Sequence, residues 1–300
     1  MEINNSKITV IIPTTAEWKR FDAIKRAVES IRKSSDEKVL IIASVNGSKF
    51  HLEVCEWLKA QPDVIYIYND IGSAPLAHIR GRELVKTPYF SFLDDDDEYL
   101  KHALDIRLKI LEENQNVSLV VTNGYSVTKN VQNIHYKNMC NVNEDQFYAL
   151  YQENWLHNCN HLFRTADIKI EFFKNYVQYL EWTWLAFKIC IAGLKVVAMD
   201  EKTFLYYDTE DSLSKSDAYN GTFPKLAKKM LAMSPPKNIK SQITYKLAEH
   251  FHFYSVQLLK SGNVTMSLKY HLKSIFQYRG FKYLLYTRYI IFPTLLKYAA

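Results

Sequence analysis

Between residues 8 and 122, mostly apolar runs alternate with segments of helical period, and this alternation leaves few folds open. The runs cover residues 8–13, 39–45, 64–68, 89–93 and 117–122. They are short, rich in β-branched and aromatic side chains, and several close on proline, on Asn46-Gly47-Ser48 or on acids, as buried strands do. Phe21, Ile24, Val28 and Ile31 recur at steps of three and four, one face of a helix over 20–33. Further helices are expected near 50–60, over 75–86 and over 98–113. Strands apolar on both faces need cover on both faces, and strand–helix alternation supplies it around a parallel sheet. The expected class is α/β, with a doubly wound, mostly parallel sheet.

The run at 89–93 ends directly in Asp94-Asp95-Asp96-Asp97. Four carboxylates repel one another unless water solvates them or a cation neutralises them. Carboxylate oxygens are the donors that hard cations such as Mg²⁺ and Mn²⁺ prefer. Ligands of parallel α/β sheets bind at the carboxyl ends of strands, so these acids stand where a metal-bound phosphate can be held. The competing reading is a solvated acidic turn whose charge favours the N-terminus of the helix over 98–113.

After Thr122 the alternation loosens, and residues 123–165 are polar and aromatic with little periodicity. A helix over 179–192 stops at Gly193, a strand follows at 195–199, and the chain beyond Pro235-Pro236 reads as helical and basic. The 48% apolar share is ample for a core, and no stretch approaches the ~18 uninterrupted apolar residues of a membrane span. Residues 1–7 lack the charged and apolar regions of a signal peptide, so the expected compartment is the cytoplasm. Cys55, Cys140, Cys159 and Cys190 have neither zinc-site nor disulfide spacing and read as core thiols. Neither the dinucleotide-binding nor the P-loop glycine pattern occurs.

From about Ile8 to Ser214 the sequence resembles the family-two inverting glycosyltransferases of the GT-A fold. The residues that carry the resemblance are Ile11-Ile12-Pro13-Thr14-Thr15-Ala16-Glu17, Val45-Asn46-Gly47-Ser48, Ala77-His78-Ile79-Arg80-Gly81, Phe92-Leu93-Asp94-Asp95-Asp96-Asp97 and Leu180-Glu181-Trp182 before a helix that ends in Gly193-Leu194-Lys195. The departures are Val45-Asn46 in place of two aspartates, His78 in place of arginine, and Leu180-Glu181 in place of Glu-Asp. The resemblance implies a GT-A-like domain over 1–217, with a nucleotide-sugar half over 1–122 and an acceptor half over 123–217, then a basic helical extension over 218–300. It implies transfer from a nucleoside diphosphate sugar to a saccharide or lipid-linked glycan, as in bacterial surface polysaccharide assembly.

Such a transfer needs a cation against the charge of the departing diphosphate, a base for the acceptor hydroxyl, and substrates held in line. By resemblance, Asp96 and Asp94 are the metal ligands for Mn²⁺ or Mg²⁺, with Asp96 first. Pro13, Thr14, Thr15, Glu17, Asn46, Arg80, Asp94 and Asp95 would hold the nucleotide-sugar, and Asp95 and Asp97 would otherwise support the metal ligands or be solvated. Glu181, among Tyr179, Leu180, Trp182 and Trp184, is the candidate base, since partial burial would raise its carboxyl pKa towards neutrality, and the competing reading is a helix-initiating Glu well placed for the dipole. Asp208, Glu210, Asp211 and Lys215 follow the last strand, where Lys215 is the nearest basic residue to a diphosphate. Two other classes fit less of the chain. One is a non-catalytic GT-A-like module that binds glycan or membrane, suggested by the departures. The other is a nucleotidyltransferase, which would need a basic, glycine-rich phosphate loop.

The net charge of +6 divides unevenly. Residues 218–300 carry 13 Lys/Arg and one acid, Glu249, hence +12, and the rest carries −6. From His250 to Ala300 there is no acid, and aromatics interleave with seven basic residues: Lys260, Lys269, Lys273, Arg279, Lys282, Arg288 and Lys297. That composition suits an anionic membrane surface at the inner face of the cell membrane, or a helical subdomain with solvated lysines. No nucleic-acid motif accompanies it, and no nucleic acid is expected.

Overall fold

The computed structural model describes residues 6–129, 131–208 and 221–292. The chain forms two compact units, Met1–Ser212 and Leu213–Ala300. The first begins with β1 (Ile8–Thr14), α1 (Phe21–Lys33), β2 (Val39–Asn46), α2 (Leu52–Ala60), β3 (Val64–Asn69), α3 (Ala74–Leu84) and β4 (Tyr89–Phe92). These four strands are parallel in the order β3-β2-β1-β4. Successive strand residues point to opposite faces. On β2, Ala43 and Val45 pack with Ile24 of α1 and with Val54 and Leu58 of α2. Ser44 between them donates to the Ala77 carbonyl of α3 at 2.9 Å. So α1 and α2 cover one face and α3 the other, as double winding requires. Gly81 lets α3 settle on the sheet, because a Cβ there would lie 2.3 Å from Ile11 Cγ2.

Past β4 the sheet becomes mixed. It continues β4-β8-β6-β9-β5, with β7 beside β6, where β5 is Glu98–Tyr99, β6 Leu119–Thr128, β7 Val131–Ile134, β8 His161–Arg164 and β9 Val196–Tyr207. The helix expected over 98–113 is shorter: α4 spans Ala103–Glu113. Glu98 and Tyr99 instead pair antiparallel with Leu205 and Phe204. His102, left-handed at φ 60°, separates that strand from the helix. The aperiodic stretch 123–165 holds the far half of β6, β7, β8 and two short helices, α5 (Asn141–Glu144) and α6 (Gln146–Gln152). Then comes α7, Glu181–Ile191.

Arg107 of α4 is completely buried beneath this mixed half. It donates to Thr122 Oγ1 at 3.1 Å, Thr203 Oγ1 at 2.6 Å, and the carbonyls of His161 and Cys159 at 3.0 Å each. One guanidinium thus ties β6, β9 and the segment entering β8. Arg107→Met would leave those neutral acceptors without their donor, and we expect a loss of about 1–3 kcal/mol for each one left unsatisfied, measurable by urea unfolding.

The second unit contains α8 (Phe223–Ala232), α9 (Lys237–Lys260), α10 (Val264–Ile275) and α11 (Thr287–Ile291). Buried Ser255 and Ser267 join α9 to α10 by exchanging hydroxyl-to-carbonyl hydrogen bonds of 2.9 and 2.8 Å. No helix among the described residues is long and apolar enough to cross a membrane.

Candidate active site

The direction of winding reverses between β1 and β4, which opens a crevice at their carboxyl ends. Thr14, the last residue of β1, donates its hydroxyl to Asp95 and accepts from the Ala16 amide at 2.9 Å. Asn46, the last of β2, donates to the Thr14 carbonyl and accepts from the Ser73 amide, both at 2.9 Å. Ser73 in turn caps α3. Thr14 and Asn46 therefore brace the crevice wall, and neither amide group of Asn46 is free. Pro13 lies just inside β1 opposite Ser44. Thr15 donates to Glu17 at 3.1 Å at the crevice mouth. Arg80 is exposed on α3, with its ion pair to Glu83 at 3.1 Å rather than to the acids.

The four acids are not a solvated turn. Asp95 and Asp97 are 3% and 1% exposed, and Asp94 and Asp96 are half-buried. Asp95 accepts from Thr14 on one oxygen and from Arg20 Nε, at 2.9 Å, on the other. Arg20 also reaches Asp96 at 2.9 Å. Burial opposes the Arg20 charge, but Asp95 and Asp96 outweigh it and raise its pKa. Sequence reasoning missed this residue, although a signal was present. An arginine at the start of a helix opposes the helix dipole and calls for acids nearby.

Asp97 accepts from the Tyr207 amide at 3.0 Å through Oδ1, while Oδ2 is buried with no partner among the described residues. Carboxylate oxygens of Asp94, Asp96 and Asp97 all lie within 4.8 Å of one another. Burial first, then the neighbouring carboxylates, push the Asp94 and Asp97 pKa values well up. Crowded oxygen donors, one of them an orphan, fit a hard divalent cation. The consequence for stability has a definite sign. An acid whose pKa is raised on folding stabilises fully below its unfolded value and loses that contribution as pH rises through the folded value. The contribution of Asp94 and Asp97 should therefore fall as pH rises above about 4, while buried neutral His78 contributes in the opposite sense between about 4 and 6.5. Mn²⁺ should raise the melting temperature more at pH 8 than at pH 5, as a thermal-shift titration will show.

Glu181 opens α7, just after Tyr179, which holds the left-handed φ of 69°. A bulky residue in that region is strained, and such strain collects at functional sites. Glu181 lines a narrow, mostly apolar cleft with Pro75, His78, Phe173, Tyr176 and Trp182. Its Oε2 is buried without a partner among the described residues. Burial lifts its pKa from 4.5 to about 6. Its charge also weighs on Asp94, so base candidate and acid cluster share one neighbourhood. His78, one of the departures noted above, is buried in the same wall with its Nε2 unpartnered among the described residues and its pKa lowered by burial to about 4. It is neutral at pH 7 and edge-on to Phe92 and Trp182. Asp208 extends the β6–β9 edge through its amide to the Val127 carbonyl, at 3.1 Å. Glu210, Asp211 and Lys215 lie outside the described residues.

Residues 9–170, more than half of the chain, match the family model for glycosyl transferase family 2. The chain belongs to this family. The putative colanic acid biosynthesis glycosyl transferase WcaA of Escherichia coli (strain K12) is 27% identical over 126 residues, covering 41% of this chain and 44% of WcaA. An uncharacterized glycosyltransferase of Rickettsia bellii (strain RML369-C) is 26% identical over 113 residues, covering 37% of this chain and 16% of that protein. The chain thus spans less than half the length of these relatives. S. aureus TarS 1-349, solved in complex with UDP-GlcNAc, superposes with a TM-score of 0.65 over 89% of this chain and 81% of TarS 1-349, at 13% identity. The longer TarS structure gives 0.58 over 82% and 44%, at 16% identity. At these identities the likeness is one of fold, and the family-two chain has the GT-A fold expected from its sequence.

Proposed function

We propose that this family-two chain moves a sugar from a nucleoside diphosphate sugar to a saccharide or lipid-linked glycan acceptor, with inversion. The observation that carries the reading is Glu181. It is a carboxylate with an unpartnered buried oxygen and a pKa near 6, in an apolar cleft close enough to the acids for its charge to raise Asp94. An acceptor hydroxyl in that cleft would give its proton to Glu181 as it attacks the sugar carbon. Neutral His78 would offer an N–H to a substrate oxygen from the same wall. Asp94, Thr15 and Glu17 would meet the nucleotide, with Asp95, Thr14, Pro13 and Asn46 shaping its crevice, and Arg80 is the weakest member of the expected set. Asp96 and Asp94, joined by Asp97, would hold Mg²⁺ or Mn²⁺, whose charge when bound offsets that of the departing diphosphate.

The test is release of nucleoside diphosphate from a panel of nucleotide sugars, with lipid-linked and soluble saccharide acceptors, with and without chelator. UDP-sugars come first, because the TarS neighbours were solved with UDP-GlcNAc and with UDP. Acceptor-dependent release from one donor is the expected result. No release from any donor would return the chain to the non-catalytic reading. Release of pyrophosphate from a nucleoside triphosphate would instead make it a nucleotidyltransferase.

The second unit supports a peripheral site of action, at the inner face of the cell membrane. Leu268, Leu272 and Phe276, one helical stripe along α10 and its end, are 41%, 45% and 79% exposed. Phe281, Leu284 and Leu285 add exposed apolar surface, and Lys269, Lys273, Arg279 and Lys282 lie close to them in the chain. Lys297 lies outside the described residues. Apolar side chains beside cations suit an anionic bilayer, and each basic residue near it contributes about 1 kcal/mol. Flotation with phosphatidylglycerol vesicles should recover the chain at low salt. Phe276→Ser/Leu285→Ser should lower that recovery at least tenfold, and neutral phosphatidylcholine should recover little of either.

A further inference from the structure

One group of side chains beside the acids is not used by the transfer. His157 and Cys159 lie on the segment that enters β8, and a carboxylate oxygen of Asp97 lies within 4.8 Å of a donor atom of each. His157 Nδ1 and Cys159 Sγ are 3.5 Å apart. A tetrahedral zinc, with its usual sulfur and nitrogen bond lengths, separates those two atoms by about 3.6 Å. We infer that Asp97, His157 and Cys159 form a second cation site, selective for a soft divalent ion such as Zn²⁺ and distinct from the all-oxygen set of Asp94, Asp96 and Asp97.

Three further features point the same way. Asp97 Oδ2 is a buried, unpartnered acceptor, and Asp97 itself is 1% exposed. A buried carboxylate oxygen without a donor is costly, and a bound cation removes that cost. The backbone that carries the other two donors is already fixed. The His157 amide donates to Asn160 Oδ1 at 2.8 Å, the His157 carbonyl meets His161 Nδ1 at 2.6 Å, and Arg107 donates to the Cys159 carbonyl at 3.0 Å. Donors held in place before binding are what a selective site requires. His157 is only partly buried, so the three donors are not all sealed from solvent.

The donor chemistry separates the two sites. Mg²⁺ and Mn²⁺ favour carboxylate and water oxygens, whereas thiolate and imidazole select zinc-like ions. Three protein donors leave a fourth position for water. Binding is a ligand exchange without redox change. The cation sheds water, sulfur takes its place, and the thiol proton passes to solvent. Because Asp97 belongs to both sets, occupancy of the soft site withdraws it from the hard one.

Cobalt(II) tests this directly, since a thiolate ligand gives a charge-transfer band and a tetrahedral site gives intense visible bands. The full chain carrying Cys140→Ser, which removes the exposed thiol, should bind one equivalent with both signatures, and Zn²⁺ should displace it. Adding Cys159→Ser should abolish the charge-transfer band. Adding His157→Asn should weaken cobalt binding at least tenfold. Adding Asp96→Ala, which touches only the oxygen set, should leave the spectrum unchanged. Failure of the transfer assay would not alter these results. A chain that gives no charge-transfer band, or whose band survives Cys159→Ser, overturns the proposal and leaves Cys159 and His157 as a simple S–H···N pair. Should Cys159→Ser fail to fold by circular dichroism, His157→Asn decides the question. Unchanged cobalt affinity in that variant refutes the site.

Discussion

Glu181→Gln is expected to lower the rate of sugar transfer by about 10²–10⁴-fold, the range set by loss of a general base, with nucleotide binding little changed. Glutamine keeps the shape and burial of the side chain and cannot take a proton. The variant also separates the catalytic reading from a structural one through pH. In the parent, the base must be ionised, so kcat/KM should rise with pH through the Glu181 pKa of about 6 and level off above it. In the variant that limb should vanish. Stability should move the other way. A carboxyl raised on folding from 4.5 to about 6 contributes most below pH 4.5 and loses its contribution as pH passes 6. At pH 7.5 glutamine therefore removes an unfavourable buried charge, and the melting temperature should hold or rise. Transfer activity within threefold of the parent would remove Glu181 from the reaction. A large fall in melting temperature would make it a structural residue.

The strands β1 to β4 and the helix faces between them were legible because they are local. Ile8 to Pro13 are apolar whichever way they face, and a strand buried on both sides tolerates nothing else. The acids were legible for a related reason, since a strand that ends in four carboxylates has little to do but meet water or a cation. What escaped the sequence is non-local. Glu98 and Tyr99 look like the first turn of a helix until Leu205 and Phe204, more than a hundred residues away, offer a strand edge. Arg20 reads as one more polar position of α1, and only the fold carries it across to Asp95 and Asp96. Asn46 was expected at the nucleotide, but both ends of its amide are spent bracing Thr14 and Ser73. Arg80 was expected to face the crevice and instead pairs with Glu83 three residues along its own helix. His157 and Cys159 carried no spacing signal, because Asp97, which lies within 4.8 Å of both, comes from a different strand end.

Asp96→Ala is expected to abolish divalent-metal-dependent binding of the nucleotide. The loss should exceed the ~10–100-fold that removal of an outer partner costs a metal site, because here a ligand itself is removed. The four acids make this prediction specific. Asp95 is a direct chain neighbour of Asp96, but its oxygens are occupied by Thr14 and Arg20. Asp95→Asn should therefore weaken the crevice wall and lower the melting temperature while keeping much of the metal response. Asp96 is half-buried rather than sealed, and Arg20 is its one ion-pair partner among the described residues. Its removal leaves Arg20 still bound to Asp95, so the fold should survive while the cation loses an oxygen ligand. Calorimetry with a nucleoside diphosphate, in Mn²⁺ and in chelator, reads the difference. Metal-dependent binding in the parent that disappears in Asp96→Ala and persists in Asp95→Asn assigns the ligand. Equal loss in both would mean that the acids act as one charge cluster and that Arg20, which bridges them, holds the crevice in its binding form. In that case Arg20→Gln should reproduce the loss with every carboxylate still in place.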